Sequence, residues 1–148
     1  MRDLAVNQVV AKPTSNLISN IAWSPDGRYL ATWSIEGVGP VLTLWDPATW
    51  QIARTYNGVA DFYWSPTGSL MAMVKDGSVQ IVDTASGKVL RSFAGGNGVV
   101  SSVAWQPRGT KVLVGMHNVS SNTSYLSLWN TQTGTEVFAF DLPAIFKL

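Results

Sequence analysis

The chain has 148 residues, 46% of them hydrophobic and only 13% charged, so it can bury a core and is not a disordered segment. Ten Lys/Arg against nine Asp/Glu leave a net charge of +1, too flat a balance for a nucleic-acid or anionic-membrane binder, since both need a concentrated positive field. The absence of cysteine removes disulfides, thiolate metal sites and Cys nucleophiles, and the lone His117 excludes metal motifs that need two imidazoles.

In chain order, residues 1–10 lack the apolar block of a signal peptide. The longest apolar run, Leu70 to Val74, falls far short of the roughly 20 residues of a spanning helix. A cytoplasmic protein with no membrane or nucleic-acid partner is therefore expected. Leu4 to Ala11 reads as an extra N-terminal strand within residues 1–18. Beyond it, Trp23-Ser24-Pro25-Asp26-Gly27 recurs as Trp64-Ser65-Pro66-Thr67-Gly68 and as Trp105-Gln106-Pro107-Arg108-Gly109, at a spacing of 41 residues each time. That period belongs to the roughly 40–45-residue class of four-stranded propeller blades.

The first unit, 19–56, holds strand a ending at Trp23, strand b over 29–33, strand c ending at Trp45 and strand d ending at Tyr56. The second, 57–93, repeats this with strand b over 70–74, strand c ending at Val82 and strand d at Phe93. The third, 94–140, places strand b over 112–116, with strand c ending at Trp129 and strand d at Phe140. Residues 141–148 form a stub. Each strand c alternates apolar and polar residues, which predicts a half-buried strand. The Pro-x-Gly turns join a to b, because Pro presets φ and Gly permits the reversal. Asp76-Gly77 predicts a two-residue hairpin between b and c, whereas Ser34–Pro40 and His117–Ser124 read as longer loops. No helical period is visible. The expected fold is all-β.

These residues resemble the WD-repeat β-propeller family, through the Trp-Ser-Pro-Asp-Gly of strand a, the Trp45-Asp46 end of strand c and the Ser/Thr-Gly turn after it, over about Ile21 to Phe140. The resemblance implies a scaffold without chemistry of its own that binds other proteins. Many family blades carry a hydrogen-bonded His, Ser/Thr, Asp and Trp set. Here the His before strand a is missing, Thr32 alone matches the strand-b hydroxyl, and Val82 replaces the second Trp. Propellers close with typically 4–8 blades. About three blades therefore imply a partial propeller: an open arc, part of a larger ring, or a unit that assembles with copies of itself as a homo-oligomer.

Trp23, Trp64, Trp105, Trp45 and Trp129 occupy repeated positions and are expected to pack between blades. Trp33 and Trp50 break the repeat, Trp50 standing where Gly87 and Gly134 stand in the sister turns, and an exposed aromatic favours partner contacts. Asn20, Asp61 and Ser102, three residues before the strand-a Trp, are expected on the partner-binding face with Glu36 and Lys75 beside the b–c turns. Asn118 and Asn122 match the glycosylation pattern but read as polar loop residues. No cofactor, metal or catalytic residue is expected, because Asp46, Asp83 and Asn130 are repeat-equivalent turn residues and no nucleophile elbow accompanies His117. The leading expectation is a noncatalytic protein-interaction scaffold. The alternatives are a fragment of a larger regulatory propeller attached to a signalling enzyme, and a propeller enzyme subunit.

Overall fold

The computed structural model describes residues 2–3, 8–9, 18–37, 39–94 and 98–142. Two short strands, β1 (Arg2–Asp3) and β2 (Gln8–Val9), pair antiparallel. The rest of the expected Leu4–Ala11 strand, and residues 143–148 of the stub, lie outside the described residues. Each Trp-x-Pro-x-Gly unit then becomes one antiparallel meander. The first is β3 (Ile18–Trp23), β4 (Leu30–Glu36), β5 (Gly39–Asp46) and β6 (Gln51–Asn57). The second is β7 (Val59–Trp64), β8 (Leu70–Lys75), β9 (Ser78–Asp83) and β10 (Val89–Ala94). The third is β11 (Val99–Trp105), β12 (Lys111–Asn118), β13 (Thr123–Asn130) and β14 (Glu136–Leu142). The result is three four-stranded blades of a partial β-propeller. No helix occurs among the described residues.

The chain divides into two compact units, Met1–Val59 and Ala60–Leu148. In the second, the core is built where two sheets face each other. Ala72, Val74, Val79, Ile81 and Phe93 of one sheet meet Val103, Val112, Val114 and Met116 of the next. Phe93 stacks on Trp129 with ring centroids 4.7 Å apart and planes 16° from parallel. In the first unit, Val41 to Trp45 are all buried, Thr43 included. Strand c of that blade is thus covered on both faces, not half-buried as its alternation suggested. β14 is the opposite case: it is exposed along its whole length.

Turn chemistry sets the registers. Gly27 (φ 71°) and Gly68 (φ 74°) take the left-handed conformation that the Pro-x-Gly turn needs. Gly109 closes the same turn through its N–H to the Gln106 carbonyl without a positive φ. Asp76 (φ 50°) and Gly77 (φ 72°) form the expected two-residue hairpin, both residues being left-handed as a type I′ turn requires. The two longer loops are shorter than expected. Pairing continues to Glu36↔Gly39 and to Asn118↔Thr123, because extended flanks in a meander gain ladder hydrogen bonds up to the turn.

Candidate partner-binding site

Two kinds of polar residue have to be separated: those that hold the blades together and those left for a partner. Ser24 is buried, and its hydroxyl donates to Asp26 Oδ1 (2.7 Å) while accepting from the Tyr29 N–H (2.9 Å). Asp26 also takes the Arg28 guanidinium at 2.8 Å, and the Ser24 bond followed by the Arg28 contacts holds its carboxyl down at about 2. Ser65 repeats the arrangement with the Leu70 N–H. At the end of each strand c, the acid or amide is consumed by its own turn. Asp46 accepts from the Ala48 N–H, Asp83 from the Ser86 N–H and hydroxyl, and Asn130 from the Gln132 and Thr133 N–H groups. The next residue adds a clip that sequence reading missed. Thr84 donates its hydroxyl to the Gly68 and Ser69 carbonyls, and Thr131 donates to the Thr110 carbonyl at 2.7 Å. Pro47 fills this position in the first blade, so no common motif is visible.

The tryptophans divide in the same way. Trp45 donates its indole N–H to Thr32 Oγ1 at 2.9 Å, so the single strand-b hydroxyl is used as the resemblance implied. In the third blade Val114 stands where Thr32 stands in the first, and Trp129 donates instead to Ser127 Oγ (2.8 Å). Trp105 donates to the Tyr63 carbonyl on the neighbouring sheet (3.0 Å). Trp64 has a buried indole N–H with no acceptor among the described residues. Trp23, expected to pack like its sisters, is 55% exposed. Strand β3 is an edge, and Ile21 on the same face is exposed too.

Of the expected partner residues in the first unit, Asn20 is exposed and follows a β-bulge between Ile18 and Asn20. It pairs with Trp33, which is half-buried because its indole N–H donates to the Val59 carbonyl at 2.7 Å. Glu36 closes the b–c turn opposite Gly39. Trp50 lies in the c–d turn, at the other end of the strands. It is half-buried rather than exposed, and it adopts φ 56° with its N–H on the Asp46 carbonyl. That is the geometry of Gly87 (φ 73°) and Gly134 (φ 76°), imposed here on a bulky residue by the fixed length of the turn.

In the second unit, Ser102 is exposed and follows the matching bulge between Val100 and Ser102. A bulge turns the next side chain out of the ladder. Gly115 opposite it leaves room for the hydroxyl, since a Cβ there would lie 2.7 Å from Ser102 Oγ. Lys75 is half-buried at the end of β8, beside the Asp76-Gly77 turn. Asp61 differs from both. Its carboxylate accepts from the Phe62 N–H (2.8 Å) and the Tyr63 hydroxyl (2.7 Å). Burial, and then that carboxylate, push the Tyr63 phenol up to about 12. Asp61 therefore has a structural bond to keep as well as an edge to present.

Comparison with known proteins bears on the whole arrangement. The family model described as the WD domain, G-beta repeat matches residues 6–34. The model described as the anaphase-promoting complex subunit 4 WD40 domain matches residues 44–108. Both matched models are of WD-repeat type. No curated protein matches this WD-repeat chain in sequence. Among solved structures, it resembles the one titled "Structure of U3-55K" at TM-score 0.69 and 14% identity, and the "Crystal structure of RRP9 WD40 repeats" at TM-score 0.69 and 15% identity. In each case 90% of this chain superposes on 41% of the other, so it spans about two fifths of the structures it matches. At that identity the likeness is one of fold. WD-repeat domains are in general protein–protein interaction scaffolds, and propellers of this type are generally noncatalytic.

Proposed function

We propose that this WD-repeat chain is a noncatalytic protein-binding module that meets its partner along the b–c ends of its strands. The observation that carries the reading is the bulge that precedes both Asn20 and Ser102. It puts exposed polar side chains on a rigid ladder, so little ordering entropy is lost when a partner binds. In the second unit Lys75 flanks the b–c turn of its blade; in the first, Glu36 flanks the corresponding turn, and Trp33 supplies an aromatic surface already fixed by its Val59 bond. The repeat-equivalent acids and amide are spent on turn N–H groups, which supports a scaffold over an enzyme. The limited share of each matched structure favours a second reading, in which these blades work as part of a larger regulatory propeller.

The test is capture of protein partners on the immobilised chain, compared with Lys75→Glu and Ser102→Arg variants. Asp61→Lys is unsuitable because it breaks the Tyr63 bond. The reading expects a discrete partner that both variants release. A partner retained by both would move the site elsewhere, and no partner at all would remove the module reading.

A further inference from the structure

A groove of about 540 Å³ opens at the other ends of the strands, inside the second unit. It runs between the a–b turn of the second blade and the a–b and c–d turns of the third. Trp105 lines it, and that indole is locked by its bond to the Tyr63 carbonyl. Pro66 and Pro107 add rigid apolar surface. One wall carries hydroxyls, with Thr67 Oγ1 and Ser69 Oγ 2.8 Å apart. The opposite wall carries Arg108, which is exposed and makes no ion pair among the described residues. No carboxylate lines the groove.

The walls are fixed in advance. Thr131 ties the third blade's c–d turn to its own a–b turn, and the Arg91 guanidinium donates to the Gln132 carbonyl at 2.7 Å from the neighbouring sheet. The volume falls in the range of roughly 300–1,000 Å³ typical of ligand sites. One uncompensated cation beside an aromatic surface suits a single anionic group with an apolar neighbour. A nucleic acid would need several cations.

We infer that this groove binds an extended peptide segment in which a carboxylate side chain pairs with Arg108 and an adjacent apolar side chain lies on Trp105. The inference rests on the protein-binding reading and names the partner's chemistry at a second contact. The probes are acetyl-Pro-Leu-Glu-Leu-amide and its Gln counterpart, titrated into isotope-labelled full chain while the Trp105 indole N–H resonance is followed. The Glu peptide is expected to shift that resonance saturably and to bind at least tenfold more tightly than the Gln peptide. Arg108→Gln should remove that difference, and Lys75→Glu should leave it intact. Equal affinity of the two peptides, an unmoved Trp105 resonance, or full binding by Arg108→Gln would overturn the inference. None of these outcomes touches the capture experiment on Lys75 and Ser102, so the two readings fail separately.

Discussion

Phe93 and Phe140 occupy the same place in successive repeats, yet one is 2% exposed and the other 47%. Truncating each to alanine therefore measures one side chain in two environments. Phe93→Ala removes a ring stacked on Trp129 at 4.7 Å and leaves a cavity between two sheets. Core Phe→Ala changes cost about 3–5 kcal/mol, the lost aromatic pair included. Phe140 is half-covered and its partner Phe138, at 5.8 Å, is itself exposed. Full burial of such a side chain contributes roughly 1.5–3 kcal/mol, so half of it, with no cavity formed, is worth about 1 kcal/mol. Urea unfolding with unchanged m-values should thus separate the two variants by about 2–4 kcal/mol. In thermal unfolding Phe93→Ala should lower Tm by roughly 6–20 °C and Phe140→Ala by only about 2–4 °C. Equal losses would show that β14 is covered in solution. A loss below about 1 kcal/mol at Phe93 would refute the stacked joint.

Further outcomes follow from single contacts. Thr32→Val removes the acceptor of the buried Trp45 N–H and should cost about 1–3 kcal/mol in chemical unfolding. Gly77→Ala meets no atom within 4 Å, so its cost of about 1–2 kcal/mol should come from the left-handed backbone alone. Asp26 has a folded pKa of about 2 against 3.8 for the free group, so its contribution is complete above pH 4 and disappears as pH falls through 2. Wild-type stability should drop across that window, and Asp26→Asn should flatten the drop; an identical acid limb in the variant would contradict the assignment.

The sequence was most legible where one residue type can do only one local job. The Trp-x-Pro-x-Gly period located the three four-stranded sheets, Asp76-Gly77 announced its turn, and Thr32 announced the bond to Trp45. What escaped reading depends on neighbours distant in the chain or on a broken pattern. The Thr84 and Thr131 clips were hidden because Pro47 interrupts the series and a turn threonine is ordinary. The Phe93–Trp129 stack joins two sheets, and no local pattern encodes it. Trp50 looked like an exposed turn residue, yet the turn fixes its backbone in the conformation of its sister glycines and leaves it half-buried. The groove beside Trp105 needs turns from two blades, so its Arg108 passed as an ordinary turn residue. Burial misled at the first blade, since Trp23 is equivalent to Trp105 in sequence and both lie on edge strands, yet Trp105 is held against the neighbouring sheet by its Tyr63 bond while Trp23 is exposed.

The most direct test of the protein-binding account is site-specific photocrosslinking. A photoreactive residue replaces Ser102, beyond the strand-a bulge, or Gln51, at the opposite strand ends; both positions are exposed. The account predicts one discrete crosslinked partner protein from position 102 and none from position 51. No discrete product from position 102, or the same product from both positions, would contradict it.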